Sequence, residues 1–315
     1  MPDLLLISQA EVERLLDLDE LLDALSAAFV ELTAGNTSVP PRIAARSQDG
    51  LLGVMPGYLP GAGLEVKLVT VFPGNHDHGL PGHQALIALF DPDTGSPLAI
   101  MDGTYITATR TAGAAALSTR LLAREDATVL AILGAGVQGH AHLEALPRVR
   151  DFKEIRVASR NQEHALALAS SSPRARALES FEEAARGADV VCCCTDAAEP
   201  ILELAWLKPG AHLTSVGSNF QGPELDRASV ERASLFVESR AGFLPPPAGS
   251  AELQGLDPES GTELGEVIAG ARPGRRSPEE ITVYKSMGHA VEDAAAAALV
   301  YRRALSEGVG QTVRI

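Results

Sequence analysis

Residues 127–149 read ATVLAILGAGVQGHAHLEALPRV. An apolar run over 129–133 passes straight into Gly134, Ala135, Gly136, Val137, Gln138 and Gly139, and a stretch with helical spacing follows. No other stretch constrains the fold as much. A strand that ends on G-x-G-x-x-G and opens a helix is the first unit of a dinucleotide-binding sheet. Gly134 permits the tight turn, Gly136 lets backbone approach a pyrophosphate, and Gly139 allows helix and strand to pack closely. The helix start then offers amide donors and the positive end of its dipole to the phosphates. Three glycines alone would be weak evidence, because glycine-rich turns occur in many sheets. The context strengthens them: a strand precedes, a helix follows, and a second strand is expected at 154–158.

Beyond that point the texture repeats. Strands are expected in "ADVVCCCT", "AHLTSVGS" and "ASLFVES", with a helix over "NQEHALALASSS". Such repetition implies a parallel sheet with right-handed crossovers. Upstream the texture differs. A strand at 4–7 leads to Ser8, which can cap a helix, with Glu11 completing a capping box. A helix over 19–33 carries Leu21, Leu22, Leu25, Ala28, Phe29 and Leu32 on one face, and Gly35 ends it. Residues 39–101 alternate short apolar runs with turn residues, the pattern of antiparallel hairpins. Residues 104–123 look helical. The final "ITVYKSMGHAVEDAAAAALVYRRAL" reads as a strand or loop and a long helix that leaves the nucleotide domain to pack on the first one. A chain of 315 residues suits two cores. The expected fold is therefore α/β. A Rossmann-type doubly wound parallel sheet spans 123–285, and residues 1–122 with 286–315 form a second, α+β domain for substrate binding and dimerisation.

Composition excludes several classes. The formal net charge is −15 and no basic stripe is visible, so a nucleic-acid partner is not expected. No apolar stretch reaches the roughly 18 residues a membrane helix needs. The opening segment has early acids and no basic region, unlike a signal peptide. A cytoplasmic location is expected. Cys192, Cys193 and Cys194 stand side by side. They read as small apolar residues of a buried strand rather than as a disulfide or metal site, and they suit a reducing compartment. His76, Asp77, His78 and His83 in "FPGNHDHGLPGH" fit no common zinc spacing and read as a polar loop, so no metal is expected.

The end of the second strand bears on the cofactor. NAD-binding chains usually carry an acid there for the ribose 2′-hydroxyl. Here Ala158 is followed by Ser159, Arg160 and Asn161. Ser159 can donate to a 2′-phosphate, and Arg160 can pair with it or stack on adenine. The pattern favours NADP(H), with NAD(H) as the alternative; Arg160 as an ordinary surface arginine is the plainer reading. Isolated cations lie in the antiparallel segment: Arg42 in "VPPRIAA", Lys67 in "LEVKLVTVFPGN" and Arg110 in "TYITATRTAGAAAL". Buried cations are paired or bind an anion. From spacing alone, ion pairs with local acids such as Glu65 or Asp102 stand level with a carboxylate site. Asp226, in "GSNFQGPELDRASV", follows a strand end of the nucleotide domain. It either reaches a substrate amine or serves as an acid at a helix start.

Taken together, "VPPR", "EVKLVTVFPGN", "GLPGHQALIALFDPDTGSPLAIMDGTYITATRTAGAAAL", "ILGAGVQGHAHLEAL", "ADVVCCCTDAAEPIL", "VGSNFQGPELD" and "ITVYKSMGHAVEDAAAA" resemble the ornithine cyclodeaminase/mu-crystallin family. The resemblance implies a homodimer acting on a small amino acid or cyclic imine. It implies that Arg42, Lys67 and Arg110 bind a substrate carboxylate and that Asp226 is the acid/base, with Lys67 counted beside it as catalytic. Gly134, Gly136, Val137 and Gln138 would contact the pyrophosphate. Thr195, Val216, Gly217 and Ser218 would lie along the nicotinamide half. The family holds several chemistries, all moving a hydride between nicotinamide C4 and a carbon that bears nitrogen and a carboxylate. Ser159 and Arg160 depart from the cyclodeaminase pattern and are similar to NADPH-using ketimine reductases. The expected activity is thus NAD(P)H-dependent reduction of a cyclic ketimine carboxylate. Ornithine cyclodeaminase and an alanine- or opine-type dehydrogenase are the enzymatic alternatives, and a mu-crystallin-like NADP-binding protein is the non-enzymatic one. Replacing Asp226 by Asn is expected to depress turnover. The carboxylate site is lost if each of the three cations proves already neutralised by an internal acid.

Overall fold

The computed structural model describes residues 3–217 and 222–314. The chain opens with β1 (Asp3–Ile7), α1 (Gln9–Leu15) and α2 (Leu18–Thr33). β2 (Ile43–Arg46), β3 (Leu51–Leu59), β4 (Gly63–Val71), β5 (His83–Phe90) and β6 (Pro97–Asp102) follow, then α3 (Thr104–Leu122). Next come β7 (Val129–Leu133), α4 (Val137–Ala145), β8 (Glu154–Ala158), α5 (Gln162–Ser170), β9 (Ala175–Ala177), α6 (Phe181–Ala185), β10 (Val190–Cys193) and β11 (His212–Ser215). The chain continues through α7 (Arg227–Arg232), β12 (Ser234–Val237), β13 (Thr262–Glu263), α8 (Leu264–Ile268) and β14 (Thr282–Lys285). It closes with α9 (Ala290–Glu307) and β15 (Gln311–Arg314). Two compact units result: residues up to Arg110 together with those from His289 onward, and Thr111–Gly288.

The first unit holds a seven-stranded sheet in the order β15-β1-β6-β5-β4-β3-β2. β1 runs parallel to β6, and the other neighbours are antiparallel. Strand β3 alternates between buried and more exposed residues along its length, as a strand covered on one face must. The cover is α9, which packs on β3, β4, β5 and α2. Its run from Ala294 to Ala298 is buried because small side chains let the helix lie close to the sheet. Gly57 on β3 shows how close: a Cβ there would come within 3.0 Å of the Ala290 Cβ. Glu11 returns to the Ser8 amide at 2.8 Å, the second half of the capping box. Helix α2 buries Leu21, Leu22, Leu25, Ala28 and Phe29 as its spacing predicts, while Leu32 is only half-buried. Gly35 follows it with φ +75°. The polar edge strand β15, paired with β1, has no apolar pattern to announce it.

The second unit is built on an eight-stranded sheet, order β13-β12-β14-β11-β10-β7-β8-β9, parallel throughout. From β7 the chain winds outward through β8 and β9, then returns to β10 on the other side. That reversal is the switch point at which doubly wound sheets bind ligands, beyond the carboxyl ends of the strands. Val190 and Val191 continue into Cys192 and Cys193 as one buried run on β10, and Cys194 is buried too. All three thiols are free. Burial pushes Cys192 up to about 12, so it is a packing residue rather than a nucleophile. Among the described residues no helix is long and apolar enough to cross a membrane, and no group of metal-ligating side chains is present. In "FPGNHDHGLPGH", Pro73–His78 forms a short 3-10 helix and His83 starts β5; the His76 side chain lies outside the described residues.

Candidate active site

In the second unit the glycine loop is shaped by close backbone contacts. Gly134, with φ +115°, lies against the neighbouring strand end: a Cβ would stand 2.5 Å from the Cys194 carbonyl oxygen. A Cβ on Gly139 would stand 2.1 Å from the Gly134 carbonyl oxygen, so turn and helix touch there. At Gly136, the N-cap of α4, a Cβ would meet nothing within 4 Å. That open side, at a helix start with unsatisfied amides, is the shape a pyrophosphate requires. Val137 is exposed beside it. The Gln138 Oε1 is buried without a hydrogen-bond partner. One turn on, His142 is fully buried with Nδ1 2.8 Å from the Gln138 carbonyl, and burial lowers it to about 4. These residues fit a dinucleotide.

At the end of β8 no carboxylate appears. Ser159 Oγ accepts from the Asn161 amide at 3.3 Å. The Asn161 side chain caps α5, accepting from the Glu163 and His164 amides. Arg160 is 73% exposed and pairs with Asp196 at 3.3 Å.

The opposite flank of the switch point is fixed by a carboxylate that sequence reasoning missed. Buried Glu224 accepts from Thr195 N and Oγ1, each at 2.7 Å, and from Ser215 Oγ at 2.7 Å and Gly217 N at 3.1 Å. It therefore clamps Thr195 and Gly217, two of the residues assigned to the nicotinamide half, while the Val216 amide donates to Cys193 at 3.1 Å. Ser218 lies outside the described residues. Lys285, also buried, donates to the Gly217 carbonyl at 2.6 Å and pairs with Glu252 at 3.2 Å. Lys285, a cation in the largely apolar "ITVYKSM", was the available signal.

Asp226 departs from expectation. It is the N-cap of α7, accepting from Ser229 N at 3.0 Å, from Ser229 Oγ, and from Leu204 N at 3.3 Å. Both carboxylate oxygens are spent on donors of the fold, so the geometry supports the helix-start reading and gives the acid/base assignment no support.

The first unit gathers the cations. Glu65 and Lys67 are two apart on β4 and so share the face under α9. Lys67 Nζ sits 2.7 Å from Asp293 Oδ2, a charge contact off the hydrogen-bonding angle. Arg110, on α3, places Nε 3.0 Å from Asp293 Oδ1 and Nη1 2.8 Å from Glu292 Oε2. Arg42 is half-buried and near enough to act electrostatically on Lys67. The structure thus brings Arg42, Lys67 and Arg110 together. The partners differ from those weighed in the sequence: neither Glu65 nor Asp102 pairs with Lys67 or Arg110, and both acids come from the first turn of α9. There Glu292 also accepts from the His289 amide at 3.2 Å, a capping-box contact, and acids at a helix start are favoured by its dipole. Burial, then Arg110, lowers Lys67 to about 8, against Asp293, which raises it. Glu65 is 3% exposed, and neither of its oxygens has a hydrogen-bond partner. Burial and the charge of Asp293 hold it well above the usual carboxylate range.

Comparison with known proteins agrees with this layout. Residues 3–308 match the ornithine cyclodeaminase/mu-crystallin family. The ketimine reductase mu-crystallin of Mus musculus is 44% identical over 285 residues, covering 89% of this chain and 90% of its own. A solved structure of Thermococcus litoralis Δ1-pyrroline-2-carboxylate reductase, in complex with NADH and L-proline, superposes with a TM-score of 0.93 at 36% identity, covering 98% of this chain and all of the other. An archaeal alanine dehydrogenase dimer with bound NAD gives a TM-score of 0.89 at 33% identity over the full length of both chains. The chain belongs to the ornithine cyclodeaminase/mu-crystallin family.

Proposed function

We propose that this chain is an NADPH-dependent oxidoreductase that reduces a cyclic ketimine carboxylate, of the pyrroline- or piperideine-2-carboxylate type, to the cyclic amino acid. The observation that carries the reading is the buried pair of Lys67 and Arg110 in a chain that also holds a dinucleotide cradle; Asp293 and Glu292 orient the pair but already offset its charge, so the condition that would remove the site is met for two of the three cations. A bound reduced nicotinamide supplies the hydride. Arg110 and Arg42 anchor the substrate carboxylate, Arg110 with a guanidinium whose orientation two acids already fix. Lys67, lowered to about 8, is a stronger acid than an exposed lysine and hands its proton to the imine nitrogen, since an iminium accepts hydride more readily. Asp226 keeps its capping role in this reading. Turnover is expected to fall as pH rises through about 8, where Lys67 loses its proton. The test is NADPH oxidation with Δ1-pyrroline-2-carboxylate. Ammonia released from ornithine with only trace cofactor would favour a cyclodeaminase, and cofactor binding without turnover of any imine would favour a binding protein.

The preference for NADPH rests on Ser159 and Arg160. A single exposed ion pair to Asp196 is worth less than about 1 kcal/mol, so Arg160 can exchange it for a 2′-phosphate. Arg160→Ala is expected to weaken NADPH about tenfold or more while leaving NADH nearly unchanged. Equal losses for both cofactors would remove the assignment.

A homodimer is supported by the sheet face of the first unit opposite α9. Ile43, Val54, Leu68 and Leu86 lie in register across four strands, and Ile43 and Leu86 are 67% and 53% exposed. An apolar row of this length left to water marks an interface, and a second copy of the chain is the occupant we infer, in line with the dimeric archaeal relative. Light scattering of Leu68→Lys, expected to be monomeric, tests it. The free thiols suit the reducing cytoplasm, where we place the protein.

A further inference from the structure

One buried group in the first unit has no role in the chemistry above. Glu65 stands two residues before Lys67 on the same face of β4, wholly enclosed, with no donor for either oxygen. Room for it is made by glycine: a Cβ on Gly57, its partner on β3, would stand 3.1 Å from Glu65 Oε1. The neighbour on β5 is Leu89, which cannot donate. The charged groups that face it are Lys67 on its own strand, Arg110 on α3 and Asp293 on α9, with Glu292 beside Asp293 held by Arg110. None of the cations comes within ion-pair distance of it among the contacts described.

An acid placed so is expensive to ionise, and a protonated carboxyl there is cheap. Its state changes the charge around Lys67 and Arg110 by one unit. Asp293 and Glu292 already offset much of that positive charge, so one unit decides whether the cluster attracts a carboxylate.

We propose that Glu65 is a positioning residue for the carboxylate site: it takes up one proton from solvent when a carboxylate binds, and so ties the affinity for anionic ligands to pH. The inference rests on the reading that Lys67 and Arg110 hold a substrate carboxylate. Burial and Asp293 raise Glu65 in the direction this requires, with Lys67 and Arg110 opposing. Linkage then makes affinity weaken as pH rises, by at most roughly tenfold per pH unit for one proton.

The test is calorimetric titration of L-proline into the protein saturated with NADPH, a pair that cannot react, using wild type and Glu65→Gln at about pH 6 and about pH 9. The amide cannot ionise. The two proteins are expected to bind alike at the lower pH, while the variant binds about fivefold or more tighter at the higher pH. Titration of the ligand amine occurs in both proteins and cancels in the ratio, while proton uptake and the infrared band separate Glu65 from its neighbour Lys67. Wild type is also expected to take up protons, read from buffers of different ionisation enthalpy, and to gain an infrared band of a protonated carboxyl that the variant lacks. L-Proline bound by wild type, with an affinity ratio unchanged between the two pH values and no proton uptake assigned to Glu65, overturns the inference alone. L-Proline that fails to bind wild type at either pH overturns the carboxylate reading and this inference with it. The uptake and infrared measurements on wild type stand even where the variant folds poorly.

Discussion

The two units solve the problem of holding a charged ligand in opposite ways. In the second, the cradle is backbone: Gly134 and Gly139 set its shape by contact distance, and the buried acid Glu224, which holds Thr195 and Gly217, is saturated with donors. In the first, the site is made of side-chain charge: Lys67 and Arg110 face Asp293 and Glu292 inside the protein, and Glu65 has no partner. A backbone site is specified locally and fails by collision. A charge cluster is specified globally and fails by imbalance.

The contrast can be broken by substitution. The largest effect is expected from Asp293→Asn, which takes the counter-charge from Lys67 and Arg110 at once. Stranding a buried ion costs roughly 3–5 kcal/mol, visible in denaturant unfolding of the first unit. A variant as stable as wild type would show that the cluster is not held by charge. Gly139→Ala is next: its Cβ collides with the Gly134 carbonyl, and roughly 1–3 kcal/mol of overpacking should appear as lost NADPH affinity by fluorescence, with the charge cluster untouched.

Acid sharpens the picture for the second unit. His142 is lowered to about 4 by burial, and His212 to about 3 by burial, then Arg275 and Arg150. Both stay neutral when folded, so their contribution is complete above about pH 6.5 and is lost as pH falls from there toward the folded values. At about pH 5 each should cost roughly 2 kcal/mol, and His142→Leu should flatten the fall in stability. The smallest effect is expected at Asp226. Ala there should cost about 1 kcal/mol of stability for the lost cap, while Asn keeps the cap through its one oxygen, gives up the Leu204 contact, and should leave turnover near wild type. A hundredfold loss of turnover in the Asn variant would restore the acid/base role.

The same contrast governs how much could be read from the chain. The β7 strand, the glycine turn and α4 are consecutive, so their pattern carries their geometry, and β8 falls where the spacing puts it. Arg42, Lys67 and Arg110 were legible as cations out of place. Their counter-charges were not, because Asp293 lies 183 residues from Arg110 and a local search offers Glu65 and Asp102 instead. The signal was present in "GHAVEDAAAA": two acids that open a helix of buried alanines must find cations. Asp226 was ambiguous because a capping acid and a catalytic acid look alike in one dimension.

Helix α9 carries a further consequence, for the order in which the protein is made. Lys67 and Arg110 emerge from the ribosome well before Glu292 and Asp293, and the whole second unit is synthesised in between. At ordinary elongation rates the wait is on the order of ten to forty seconds. Through that interval the strands of the first unit lack the counter-charges for their cations, while the nucleotide-type unit, one unbroken stretch of chain, already has every residue of its own.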